Sequence, residues 1–155
     1  NLRLIPVNER KLTAAKMIVL FLFSVLAYFL LFLLTFLTEM VLHASELSVK
    51  VFFDFLNMYL LEGVGVFFAV SPIIAIVPYL KKNYWLALVA AEIYSFAGLF
   101  MSMSNTLRSF YPITAIFGIS GYYETTAQEK LCSFLVLLLC GTLALVFLQK
   151  LNRRL

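Results

Sequence analysis

Four stretches of the chain run for about the width of a bilayer with almost no charge, and they decide what it can become. Residues 17–38 hold 22 residues without a charge, 63–80 hold 18, 83–107 hold 25 interrupted only by Glu92, and 131–149 hold 19. At a rise of 1.5 Å per residue, each is long enough for a helix across a hydrocarbon core of about 30 Å. The rest of the composition agrees. Charged residues make up 13% of the chain, against about a quarter in water-soluble domains, and mean hydropathy is +0.99. The first run is too long for the apolar part of a signal peptide, and no small-residue cleavage site follows it. The sequence therefore reads as one all-α integral membrane domain over 1–155, with spans at 17–40, 60–80, 84–104 and 131–149.

The positions of the twelve Lys and Arg give an orientation. Arg3, Arg10, Lys11 and Lys16 precede the first span, Lys81 and Lys82 separate the second and third, and Lys150, Arg153 and Arg154 follow the fourth. Lys50, Arg108 and Lys130 fall on the opposite side. Because basic loops stay inside, the side with both ends of this segment is predicted to be cytoplasmic, in a multi-pass protein of the plasma membrane. The net charge of +4 is thus a topology signal and carries no evidence of nucleic-acid binding.

Two segments resist a simple spanning reading. In VFFDFLNMYLLEGVGVFF, residues 51–68, apolar residues crowd every face between Asp54 and Glu62. Either one long helix tilts across from about 52 to 80, or a short interfacial helix precedes a span that starts near Glu62, and the second is the favoured expectation. Between the third and fourth spans, 105–130 contains YPITAIFGISGYY, whose 13 residues would reach about 20 Å as a helix and so fall short of a crossing. Pro112, Gly118 and Gly121 are expected to break it into short pieces, with Arg108 on one flank and Glu124 and Glu129 on the other. The expectation is an outer re-entrant segment that dips into the leaflet under cover of protein and caps a substrate exit.

Acidic groups inside spans are costly unless paired, wetted or protonated, so Glu92 and Glu62 are read as facing the bundle or a cavity. The plain reading is a packing hydrogen bond, and the functional one is a substrate or ion contact. Glu62, Glu92, Tyr94 and Tyr111 form the candidate substrate pathway, with Tyr59 and Tyr94 as potential neighbours of Glu62. His43 has no second ligand at metal spacing, and Cys132 and Cys140, about 12 Å apart along one helix, cannot bridge to each other. No metal site, nucleophile elbow or paired aspartates appear, so the chain is not read as an enzyme.

The entry to the first span, IPVNERKLTAAK at 5–16, reads as a short amphipathic helix in the cytoplasmic interface. Its Pro6-Val7, Arg10-Lys11 and Ala15-Lys16, followed directly by an apolar span, resemble the coupling segment before the third helix of type-2 ATP-binding-cassette exporter permeases. The similarity is greatest to those of bacitracin resistance and lantibiotic immunity. The resemblance implies that these four spans match helices three to six of a six-helix permease, so that the chain would be the C-terminal two-thirds of one. It also implies that Asn8, Glu9, Arg10, Lys11 and Lys16 dock on a separate ATPase subunit. ATP and Mg would sit in that subunit and no cofactor in this chain, and a second permease subunit and membrane lipid would be the other partners. Two other readings compete with ATP-driven export: a non-transporting immunity or sensor subunit, and a secondary transporter with Glu62 or Glu92 as proton carrier.

Overall fold

The computed structural model describes residues 9–44, 47–80 and 84–151, with Glu9 and Tyr84 as backbone only. Six α-helices follow in order: α1 (Glu9–Leu42), α2 (Val49–Ile76), α3 (Tyr84–Ser102), α4 (Leu107–Phe110), α5 (Pro112–Ser120) and α6 (Ala127–Leu151). A 3-10 turn, Val77–Leu80, extends α2. Four of these helices are long and apolar enough to cross a membrane. The fold is all-α, as its charge-free runs require.

Helix α1 is a single rod of 34 residues, about 51 Å long. Residues 9–16 are therefore not a separate interfacial helix; they are the first turns of the same helix that continues into the apolar run. The reason lies in the sequence: no Gly or Pro stands between Glu9 and Leu42 to interrupt the ladder. Residues 5–8, Asn8 among them, lie outside the described residues.

The two-piece expectation for 51–80 is also corrected. Helix α2 runs unbroken through Asp54 and Glu62 from an N-cap at Ser48, whose hydroxyl accepts from the Val51 N–H at 3.3 Å. An aromatic cluster fixes the N-terminal half of α2: Phe52 meets Phe32 and Phe36 edge-on, at 5.4 and 5.0 Å between centroids. The apolar crowding that blurred the sequence pattern is thus the contact surface for α1.

In lipid, helix pairs gain nothing from hiding apolar surface, and close packing with a few hydrogen bonds must hold them. Antiparallel α1 and α2 touch at Gly63, where a Cβ would stand 3.1 Å from the Val25 Cα, and Ser24 Oγ donates to the Gly63 carbonyl at 2.7 Å. Helix α6 runs parallel to α2, with the Phe68 ring lying against Gly141 and the Tyr79 hydroxyl donating to the Phe147 carbonyl at 2.6 Å. The start of α1 and the end of α6 accordingly share one end of the bundle, here termed the basic end. Helix α5 lies between α2 and α6, its Ile116 filling the space that Gly65 leaves open.

Prolines inside such a bundle free carbonyls that water cannot reach. Pro72 cannot donate to Phe68, and Ser71 Oγ takes that carbonyl at 2.8 Å. Pro112 cannot donate to Arg108, and Thr114 Oγ1 takes that one at 2.7 Å. The chain turns at Tyr111, held extended (φ −89°, ψ 127°) as a residue before proline prefers. Gly121 ends α5 with φ 92° in the left-handed region. Gly118 does not break the segment as its residue type suggested. It sits within α5 and admits Thr125, whose methyl would lie 3.3 Å from an added Cβ.

Gly63→Val forces α1 and α2 apart and is expected to cost about 2 kcal/mol. Ser24→Ala removes one interhelical hydrogen bond and costs about 0.6 kcal/mol. Unfolding by dodecyl sulfate in mixed micelles measures both.

Candidate functional site

Glu62 sits midway along α2 and is 5% exposed, so the carboxylate lies within the bundle rather than toward lipid. Helix α5 ends against it: Ser120 Oγ lies 3.0 Å from Glu62 Oε1 and 3.3 Å from the Phe117 carbonyl. Tyr28 of α1 lies within electrostatic reach of both Glu62 and Tyr59. The Tyr59 hydroxyl itself donates to Thr35 Oγ1 at 3.0 Å, bridging α2 to α1. Three elements, α1, α2 and α5, thus converge on one acid.

A second junction lies about two turns along α2 from Glu62, toward the basic end. The Tyr94 hydroxyl donates to the Ala69 carbonyl at 3.0 Å, and the Tyr111 hydroxyl donates to the Tyr94 carbonyl. The two rings lie 5.2 Å apart. Tyr94 and Tyr111 are therefore brought together, but Tyr94 is not a neighbour of Glu62: seven residues of helix, about 10 Å, separate Ala69 from it. Tyr111 marks the deepest point of the excursion made by α4 and α5, since it meets Tyr94 in the middle of α3. The flanks of that excursion return to each other, where Arg108 donates to the Glu124 carbonyl at 2.9 Å and its guanidinium lies 5.0 Å over the Tyr123 ring.

Glu92 joins neither junction. It is exposed on α3 and makes no hydrogen bond or ion pair with another described residue, which corrects the inward placement that its cost in lipid suggested. Helix α3 leans on α4, α5 and the 3-10 turn, and most of its circumference is uncovered. At the basic end, Arg10, Lys11 and Lys16 are exposed while Thr13 between them is buried at 6%, so the cations look away from the bundle. Sequence reasoning missed Tyr28 and Ser120, which lie 34 and 58 positions from Glu62 and carry no local signal. It also missed the start of α6. Thr126 and Glu129 cap it reciprocally, the Thr126 N–H reaching Glu129 Oε2 at 2.8 Å and the Glu129 N–H reaching Thr126 Oγ1 at 3.3 Å. The spacing T-x-x-E announces that pattern.

A family model described as ABC-2 family transporter protein matches residues 1–98, which is more than half of the chain. The chain belongs to the ABC-2 transporter family. Searches of curated proteins and of solved structures gave no match. The part of this ABC-2 chain that carries the match includes α1 with its basic start, all of α2 with Glu62, and α3 through Tyr94. Tyr111, α5 and Ser120 lie beyond it. Members of the family are membrane subunits that work in general with an ATP-binding-cassette component.

Tyr94→Phe and Tyr111→Phe each remove one interhelical hydrogen bond of the ABC-2 chain and are expected to cost about 0.6 kcal/mol apiece. Because the two rings are in contact and Tyr111 bonds the Tyr94 backbone, the double variant is expected to depart from the sum by about 0.5 kcal/mol or more. Dodecyl sulfate unfolding of the three variants measures this.

Proposed function

We propose that this chain is the permease subunit of an ATP-driven exporter that moves a lipophilic or amphipathic substrate, such as an antimicrobial peptide, a drug or a lipid, out of the membrane. The observation that carries the reading is the family match over residues 1–98. The exposed cations at the start of α1, Arg10, Lys11 and Lys16, support a docking role for that end. The basic end faces the cytoplasm, where a separate ATPase subunit binds ATP with Mg and docks on residues 5–16. Similarity to bacitracin-resistance and lantibiotic-immunity permeases belongs to the same reading, as does the place of the four long helices as helices three to six.

Energy enters as a difference in affinity: the ATPase must bind one arrangement of the bundle better than another, or its ATP shifts nothing. Glu62, Tyr94 and Tyr111 line the substrate path from the bilayer, and the α4–α5 hairpin caps its outer mouth. A second permease subunit, identical or homologous, packs on the uncovered face of α3 and covers Glu92, and membrane lipid surrounds the rest.

Replacing Arg10 and Lys11 by Glu reverses the charge of the docking end without touching the buried face of α1. The doubly substituted protein is expected to insert normally and to lose at least nine-tenths of its co-purifying ATPase, about tenfold in affinity or 1.4 kcal/mol. Retention of the ATPase at the native level would sink the docking assignment. For orientation, single cysteines at Met103 and Tyr122, both well exposed on either flank of the hairpin, are placed in a chain with Cys132 and Cys140 replaced by Ala. Both should react with an impermeant maleimide outside intact cells. Reaction of one only after permeabilisation would mean that the segment between them crosses.

A further inference from the structure

Glu62 alone among the described acidic residues is buried, and no cation among the described residues pairs with it. An acid enclosed within the span of a bilayer needs a compensating group, and among the described residues the hydrogen bond it receives is from one hydroxyl, that of Ser120. That hydroxyl is divided. Ser120 has a single proton and faces two acceptors, Glu62 Oε1 at 3.0 Å and the Phe117 carbonyl at 3.3 Å. Losing Glu62 would leave Ser120 with Phe117 as its acceptor, so the bond across to α2 can be given up without orphaning the hydroxyl.

We propose that Glu62 is a recognition site for the cationic head of an amphiphilic substrate, an alkylammonium group, which displaces Ser120 and frees the end of α5 from α2. This rests on the permease reading of the same bundle and names the charge class of its substrate. The chemistry follows from the groups present. An ammonium meets the carboxylate as an ion pair as well as a hydrogen-bond donor, whereas the Ser120 hydroxyl it replaces brings no charge to the buried acid. The apolar tail finds the walls that α5 leaves. Ile116, 1% exposed and seated at Gly65 one turn from Glu62, must move with α5 when it lifts. The other end of the hairpin stays anchored, because Tyr111 donates to the Tyr94 carbonyl of α3, and Thr114, its one proton closest to the Arg108 carbonyl, stiffens the turn there. Release at Ser120 therefore swings α5 about Tyr111, and the ligand that binds is also the one that opens its own path.

The test uses the full-length protein with its ATPase in phosphatidylcholine nanodiscs, with dodecylammonium as the cationic probe and dodecanol as its neutral match. Hydrogen exchange of residues 112–123 is the readout. Dodecylammonium is expected to speed it about tenfold and dodecanol to leave it unchanged. Glu62→Gln keeps the shape and an acceptor for Ser120, and should abolish the response. Ser120→Ala removes the competing hydroxyl and should tighten dodecylammonium binding about threefold, which guards against a misfolded Glu62 variant. An equal response to dodecanol, a response that survives Glu62→Gln, or weaker binding by Ser120→Ala would each overturn the proposal. Co-purification of the ATPase with the wild-type chain judges the permease reading separately.

Discussion

At Pro72 and through the α4–α5 hairpin, the irregular backbone of this fold is made possible by hydroxyls that take carbonyls. Within a bilayer an unsatisfied backbone group costs several kcal/mol, so a helix may bend or stop there only where protein supplies the missing partner. Ser71 supplies it at Pro72, and Thr114 supplies it at Pro112. Ser133, fully buried on α6, donates to the Ser109 carbonyl at 3.4 Å, and Thr125 Oγ1 donates to that of Gly118 at 3.1 Å. Tyr111 itself, the residue at the turn, donates to α3. With these donors the α4–α5 hairpin can enter the bundle and leave it again. Without them the same apolar sequence would have to lie flat on the surface.

The same constraint explains why the hairpin stands where it does. Its irregular backbone must be covered, and the cover is α2 and α6 on one side and α3 on another. Gly65 on α2 lets Ile116 approach, and Gly118 on α5 lets Thr125 fold back against α5. The hairpin in turn fills the space between α2 and α3, two helices joined at Tyr94 and otherwise held mainly through it. Helix α3 therefore depends on α5 for its position. A motion of α5 and a motion of α3 are coupled by the Tyr111 hydroxyl rather than independent.

The long charge-free runs made the four spanning helices legible, because an unbroken apolar run of that length satisfies its backbone polar groups in lipid within itself only as a helix. Where one helix ends was less legible. Residues 51–68 are apolar on every face, and periodicity cannot tell a helix packed by aromatics on one side from a helix that stops. The start of α1 was misread for a related reason: Arg10, Lys11 and Lys16 look interfacial in composition, yet nothing in 9–42 breaks a helix. Of the candidate site, Glu62 could be found from its cost alone and Tyr111 from its place before Pro112. The partners could not, since Tyr28, Ser120 and Ala69 become neighbours only through packing. Glu92 marks the limit of the cost argument. The rule that an acid in a span faces protein speaks of everything around it in the membrane, and the exposure of Glu92 is that of a single chain.

The unbroken length of α1 bears on how the docking proposed for its basic start would be felt in the bundle. Had the basic segment been a separate helix joined by a turn, a push on it would have been partly absorbed in that turn. As one rod, α1 carries a displacement of Arg10 and Lys11 directly to Ser24, Val25 and Tyr28, the residues that grip Gly63 and face Glu62. The grip is tight: a backbone-to-backbone contact at Gly63 has no side chain to yield, so α2 must follow α1 or break the Ser24 bond. Glu62 is the next residue of α2, and the end of α5 hangs on it. A tilt of α1 at the basic end therefore arrives, through two contacts of known geometry, at the hydrogen bond that ties the C-terminal end of α5 to α2.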